Sequence, residues 1–319
     1  MYALFIINPV SGNGKAQNAA LSAMQMLLKD GTLSQADVFY TRGKDDAYNK
    51  ALTAQETGYD FVVAVGGDGT INEAVLGLYK SNSTIPLAIL PAGTSNDFAY
   101  SVGIKPTAPC LYNMVKSFTY KTIDIASFND SYFLNVAAGG MLSDVAHSVT
   151  RDIKTKYGMV GYYTVGLKKL AHINWPTTKL IFTIDGKETE VHDNFFFFVS
   201  NSKSVGGFHK IAPKATLDDG YLDLYIVDKI NIVQAAGVAV RVLNGSLEEN
   251  VHAEYHRVKE LYVRPAEEID EYHVDYDGEN GGGLPLHVKV IPKAVNLLIP
   301  TNVKRTEKMF TPQEQDQNQ

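Results

Sequence analysis

The sequence predicts an N-terminal doubly wound α/β domain followed by a C-terminal antiparallel β-domain, a sandwich or barrel-like in form. Residues 1–122 alternate short apolar, β-branched runs with segments of helical period, the pattern of a mainly parallel sheet with right-handed crossovers. From about residue 120 that rhythm gives way to many short strands with tight turns, as antiparallel sheets require. At 319 residues the chain exceeds what one ordinary core organises, so two domains are expected.

In chain order, Ala3 to Ile7 reads as a buried strand that Asn8-Pro9 ends, because proline cannot extend the ladder. Ala20, Leu21, Met24, Leu27 and Leu28 then recur at helical spacing up to Gly31, a C-cap residue. Ala36 to Tyr40 is a second strand, Thr41 and Arg42 open its loop, and Asp45-Asp46 begin a helix running through Leu52. Tyr59 to Ala64 is the next strand, followed by a helix with Ile71, Ala74, Val75 and Leu78 on one face; Ile85 to Leu90 is a further strand.

In the second part, Thr119 to Phe128, Ser131 to Ala138, Lys179 to Ile184 and Glu188 to His192 read as strands, with Asp185-Gly186 marking a hairpin. Asn194 to Val199, Tyr221 to Val227, Glu260 to Val263, Glu271 to Tyr276 and Leu286 to Ile291 continue the series, and Val295 to Ile299 is a last short strand. Helices are expected over Met159 to Ile173 and Ile230 to Leu243, and residues 311–319 should be disordered.

Three strand ends carry small, hydrogen-bonding loops: Asn8-Pro9-Val10-Ser11-Gly12-Asn13-Gly14, Gly66-Gly67-Asp68-Gly69-Thr70-Ile71-Asn72-Glu73, and Pro91-Ala92-Gly93-Thr94-Ser95-Asn96-Asp97-Phe98. In an open α/β sheet such loops converge at the carboxyl edge of the strands, where ligands bind. Glycines let the backbone approach a polyphosphate closely, and the helix behind the second loop aims free N–H groups at it. Asp68 is the only charge among those glycines; it would repel bare phosphate, so its expected role is to hold Mg²⁺ directly or through water. The pattern therefore points to a nucleotide site.

Composition narrows the class. The chain is 45% hydrophobic and 20% charged with a net charge of -6, typical of a globular protein and unsuited to a nucleic-acid footprint. Cys110 is the single cysteine, so no intramolecular disulfide forms; beside Leu111 it reads as packing. No run approaches the roughly 20 apolar residues of a membrane span, and no signal segment is visible, so a cytoplasmic location is expected. The eight histidines show no metal-ligand spacing and the serines lack a His/Asp arrangement, which leaves zinc sites and hydrolase chemistry unsupported.

Together with Leu217-Asp218-Asp219-Gly220-Tyr221-Leu222-Asp223 and Asp277-Gly278-Glu279, the three loops resemble the diacylglycerol kinase catalytic-domain family, most closely the soluble bacterial members related to sphingosine and ceramide kinases. The resemblance covers nearly the whole chain. It implies an ATP-binding domain over 1–122, to which 295–310 return, and a β-rich lipid- and metal-binding domain over 123–294. It places ATP against Asn8, Pro9, Val10, Ser11, Gly12, Thr41, Gly67, Asp68, Gly69, Thr70, Ile71, Asn72, Glu73 and Thr94. Backbone N–H groups and hydroxyls suit phosphate oxygens, and Arg42 could add positive charge. Glu279 stands where the family's proton acceptor follows Asp-Gly, and phosphoryl transfer to an alcohol needs such a base. A Mg²⁺ away from the reaction centre is implied on Asp219 with the carbonyls of Thr216 and Tyr221. Asp97 and Asp124 are expected to support the network of Asp68. The family often has arginine where Tyr100 stands, so an electrostatic role there is lost or moved.

The implied activity is ATP-dependent phosphorylation of diacylglycerol or a similar lipid alcohol. The alternatives are an NAD kinase-like enzyme, which shares Gly-Gly-Asp-Gly-Thr but usually continues differently from Ile71-Asn72-Glu73, and a nucleotide- or lipid-binding regulator without turnover. Between Arg151 and Lys169, basic residues interleave with Tyr157, Met159, Val160, Tyr162 and Tyr163. Such a segment suits transient contact with an anionic membrane surface and a peripheral position at the inner membrane. Oligomeric state, a homodimer included, is left open by the sequence.

Overall fold

The computed structural model describes residues 1–141 and 177–301. The described residues divide into two compact units: residues 1–124, 216–220 and 292–301 form the first, and residues 125–141, 177–215 and 221–291 the second.

The first unit is built on β1 (Tyr2–Ile7), α1 (Lys15–Lys29), β2 (Gln35–Tyr40), α2 (Asp46–Leu52), α3 (Ala54–Thr57), β3 (Phe61–Gly66), α4 (Asp68–Lys80), β4 (Leu87–Pro91), α5 (Asp97–Val102) and α6 (Ala108–Ser117). A short 3₁₀ turn, Gly12–Gly14, precedes α1. The strands pair in parallel in the order β2-β1-β3-β4. β1, β3 and β4 are almost continuously buried, which is why they read as unbroken apolar runs. α2 and α4 approach closely at Gly77, where a Cβ would lie 2.4 Å from the carbonyl oxygen of Tyr48. The predicted regular alternation is present, with α5 and α6 as elements the periodicity had not delimited.

The second unit contains β6 (Ser131–Phe133), β7 (Val136–Gly140), β8 (Thr178–Ile184), β9 (Lys187–Glu188), β10 (His192–Ser200), β11 (Leu222–Asp228), α7 (Ile232–Asn244), β12 (Ala253–Val258), β13 (Glu260–Pro265), β14 (Val274–Tyr276) and β15 (Glu279–Asn280). Two long strands run from one unit to the other: β5 (Tyr120–Phe128) and β16 (Leu286–Leu298). Within the second unit β10 pairs antiparallel with β7, β8 and β11, as do β11 with β12, β13 with β8 and β16, and β14 with β7 and β15, giving the β-sandwich class. In the first unit, β16 joins the parallel sheet through Leu297 opposite Leu87 of β4.

β10 is the spine of the second unit. It pairs with β11 along one edge, and with β7 and then β8 along the other. Phe197 and Val199 enter one core with Phe182, Leu224 and Val263, while Phe195, Phe196 and Phe198 enter a second with Tyr225, Ala235 and Val238. The register shifts between Asn194 and Phe196, and this irregularity puts Phe195 and Phe196 into the same core, where strict alternation would separate them. A strand buried on both faces explains the unbroken run Phe195-Phe196-Phe197-Phe198.

Several boundaries differ from the sequence reading. Glu188 to His192 is not a strand: β9 ends at Glu188 and β10 begins at His192. Leu286 to Ile291 and Val295 to Ile299 belong to one strand that continues through Pro292. Ser131 to Ala138 is interrupted at Leu134-Asn135, for a reason given below. The helix expected over Ile230 to Leu243 is α7. The segments expected as a helix at Met159 to Ile173, a basic membrane contact at Arg151 to Lys169 and a disordered tail lie outside the described residues. No described helix is long and apolar enough to cross a membrane.

Candidate active site

In the order β2-β1-β3-β4 the chain winds outward in opposite directions from β1, so the topological switch point lies between the carboxyl ends of β1 and β3. The first two glycine loops leave from those two ends. The amide of Asn8 donates to the carbonyl of Val65 at 2.8 Å, and its side chain donates to the Thr70 hydroxyl at 3.1 Å. The third loop leaves β4 alongside. A Cβ on Gly93 would stand 2.8 Å from the Cα of Gly67, and one on Gly12 would stand 3.0 Å from the carbonyl oxygen of Ala92. Three sequence-distant loops thus touch backbone to backbone, an approach that only glycine permits at Gly67 and Gly93.

α4 starts at Asp68 immediately beyond Gly67, and its first intrahelical bond joins the amide of Ile71 to the carbonyl of Gly67. The amides of its first turn are therefore free of helical partners and suited to an anion. Asn72 follows, and its side-chain oxygen is buried without a hydrogen-bond partner. Pro9 and Val10 are exposed beside the half-buried Ser11, and Thr94 is exposed at the tip of the third loop.

Asp68 is half-buried, and its carboxylate accepts from the backbone N–H groups of Phe98 and Asn96, docking the third loop onto α4. Burial, reinforced by the negative charge of Asp97, pushes its pKa up to about 6. Asp97 thus belongs to the surroundings of Asp68, as expected. Asp124 lies with Asp219 and Asp218.

Three side chains bind loops in ways the sequence did not reveal. Asn96, at φ 51°, accepts from the amide of Gly93 at 2.7 Å and donates to its carbonyl at 2.9 Å, closing the third loop on itself. Glu73 accepts from the amides of Asp45 and Ala47, both at 3.1 Å, at the start of α2. Asp46 accepts from the amides of Arg42 and Gly43 at 2.6 and 3.1 Å. The loop carrying the buried Thr41 is therefore held from both ends, and the carboxylate of Glu73 is occupied in holding it.

A second acidic cluster also belongs to the first unit. Asp124 is fully buried; its carboxylate accepts from the amides of Gly220 and Lys293, both at 2.7 Å. Its pKa is raised, first by burial and then by the charges of Asp219 and Asp218. Asp219 accepts from the Thr216 hydroxyl, and Lys121 reaches Asp218 at 4.0 Å. Tyr221 is the first residue after this turn and belongs to the second unit. Crowded carboxylates beside backbone carbonyls form a hard oxygen donor set, which fits Mg²⁺.

In the second unit, Asp277-Gly278 forms the two-residue turn between β14 and β15, with Tyr276 opposite Glu279 and φ of 46° and 83° at the turn residues. These are the angles of the hairpin turn that matches strand twist. The Asp277 carboxylate accepts from the amides of Leu134, Asn135 and Val136 at 2.7, 3.0 and 3.0 Å. This grip breaks the chain's extended run between β6 and β7 and anchors the turn on which Glu279 stands exposed. Asp277→Ala leaves those amides without their charged acceptor. A loss of about 2–3 kcal/mol is expected by denaturant titration, whereas a merely solvated loop residue would cost nothing measurable.

A switch point lined by glycine loops, with one half-buried carboxylate at the head of a helix, defines a phosphate-handling enzyme of the kinase class. Comparison with known proteins agrees. Residues 2–128 match the diacylglycerol kinase catalytic domain, and residues 135–299 match the YegS C-terminal NAD kinase beta sandwich-like domain. The chain is 32% identical over 300 residues to the diacylglycerol kinase of Bacillus subtilis strain 168, covering 93% of this chain and 96% of that one. It is 28% identical over 305 residues to that of Staphylococcus aureus strain MRSA252, covering 96% and 94%. This chain belongs to the diacylglycerol kinase family. The fold is shared with a diacylglycerol kinase structure from Bacillus anthracis str. Sterne at TM-score 0.75 and 23% identity, covering 94% and 97% of the two chains. It is also shared, at TM-score 0.52 and 13% identity over 97% and 96%, with an NAD kinase from Archaeoglobus fulgidus in complex with ATP.

Proposed function

We propose that this protein transfers the γ-phosphoryl group of ATP to the hydroxyl of diacylglycerol or a similar lipid alcohol, giving phosphatidic acid or its analogue. The observation that carries this reading is the meeting of three glycine loops at the switch point around Asp68. Backbone amides and hydroxyls of Asn8 to Gly12, Thr41, Gly67 to Asn72 and Thr94 hold the nucleotide. Glu73 serves it indirectly, by fixing the loop of Thr41.

Mg²⁺, when bound, neutralises charge on the transferring phosphate, and Asp68 is the residue that would hold it. Glu279 takes the proton of the acceptor hydroxyl as its oxygen bonds to the γ-phosphorus; the bond to the β-phosphate oxygen breaks and ADP leaves. A further Mg²⁺ is assigned to Asp219 with the carbonyls of Thr216 and Tyr221, with Asp124 fixing the turn. In Asp219→Ala we expect reduced activity and the loss of Mg²⁺-dependent thermal stabilisation; a variant with both intact rules this site out.

A peripheral position at the inner membrane surface follows from a lipid acceptor. The NAD kinase-like reading is supported by fold alone. Initial rates with Mg²⁺-ATP on diacylglycerol, monoacylglycerol, ceramide and NAD decide between them. The lipid reading expects a lipid alcohol to be preferred; turnover of NAD alone rejects it.

A further inference from the structure

Three adjacent strands of the second unit bring nitrogen and carboxylate donors to one place. His192 opens β10, Asp228 closes β11 and Glu254 lies near the start of β12. One donor atom from each lies within 4.8 Å of the other two. His192 Nδ1 is 2.9 and 3.2 Å from the two oxygens of Asp228. Two residues along β12, on the same face by strand alternation, His256 Nε2 lies 3.2 Å from the Glu254 carboxylate. His252, next in that alternation, is engaged by Gln234 at 2.8 Å and stays outside the group.

We infer that His192, Asp228 and Glu254 form a three-donor binding site for a transition-metal dication of the Zn²⁺ type, with water completing the shell. A tetrahedral shell with bonds of about 2.0–2.2 Å separates its donors by about 3.4 Å. The contact between His192 and Asp228 already stands near that separation. Glu254, within 4.8 Å of both, has to close in, and it is exposed on an edge strand. A simple ion pair would need one histidine and one acid. Here two carboxylates face His192, whose ring is 8% exposed and set edge-on against Phe182.

The donor set decides the metal class. An imidazole nitrogen with two carboxylates suits Zn²⁺ or Mn²⁺, while Mg²⁺ seeks oxygen donors and keeps its waters. An ion there would staple the edge strand β12 to β11 and β10. No short sequence spacing announces the group, because its members come from three strands, and this revises the sequence reading of the histidines.

The test is equilibrium dialysis of the full-length protein, stripped with chelator, against Zn²⁺, Mn²⁺ and Co²⁺ in the presence of millimolar Mg²⁺. One ion per chain is expected, with a rise in Tm and, for Co²⁺, visible absorption bands of a tetrahedral site. Affinity should fall by about tenfold or more in Glu254→Gln and in His192→Gln, and should persist in Asp219→Ala, which separates this site from the Mg²⁺ cluster. Because Glu254 is exposed, its variant tests the site even where His192→Gln fails to fold. Absence of a stoichiometric ion, or binding undiminished in Glu254→Gln, overturns the inference.

Discussion

In Glu279→Gln, kcat is expected to fall by about two or more orders of magnitude, the loss typical of a removed general base. Nucleotide affinity, measured by calorimetry with a non-hydrolysable ATP analogue and Mg²⁺, should stay at the wild-type value. The reasoning is chemical. A lipid alcohol is a poor nucleophile near neutral pH, so its proton must be accepted as it becomes acidic, while ATP is held by glycine loops that do not include Glu279. Shape is conserved in glutamine, and the hairpin that carries the residue is held by Asp277. Unchanged turnover would remove Glu279 from the mechanism; lost nucleotide affinity would move it into the ATP site.

Asp68→Asn is expected to abolish turnover, by about a hundredfold or more, without loss of the fold. Stability offers an independent readout. The folded-state pKa of Asp68 lies near 6, above its ordinary value of 3.8. Ionisation of Asp68 therefore disfavours the folded state, fully so above about pH 6, and the penalty fades as pH falls toward 3.8. At pH 7.5 the asparagine variant, free of that charge, should melt at or above the wild-type Tm in the absence of metal. The difference should shrink between pH 6 and pH 4. A variant that melts well below wild type at pH 7.5 would identify Asp68 as a structural residue of the turn, and wild-type turnover would do the same.

The parts of the fold legible in the sequence are those whose pattern follows from burial. β1, β3 and β4 are buried on both faces and read as apolar runs; α4 shows its helical stripe through Ile71, Ala74, Val75 and Leu78. β12 went unread because this strand, with Glu254, His256 and Arg257, is mostly half-buried or exposed, and only Ala253 and Tyr255 mark the face it turns to the core. β16 read as two strands because Pro292 interrupts its pattern, although the strand continues through it. The split between β6 and β7 depends on a carboxylate more than 140 residues away in sequence, at Asp277. No local signal encodes such a contact.

At the candidate site the contrast is similar. Glycines, hydroxyls and Asp68 were legible because tight strand-to-helix turns demand particular residue types at fixed spacing. Asp46, Glu73 and Asn96 were not, as loop holders, since each binds backbone amides and any polar side chain in a loop offers the same chemistry before folding. The grouping of Asp124 with Asp219 was illegible for a further reason. Residues 216–220 leave the second unit to join the first, a crossing that composition does not announce.

The most direct measurement uses ATP whose γ-phosphate carries ¹⁸O, incubated with the purified protein, Mg²⁺ and dioleoylglycerol in mixed micelles, with the lipid product weighed by mass spectrometry. Phosphatidic acid that retains the labelled oxygens, formed in step with ADP, is the predicted result. Unlabelled lipid, with label appearing in free phosphate or in phosphorylated NAD, would contradict transfer to a lipid hydroxyl.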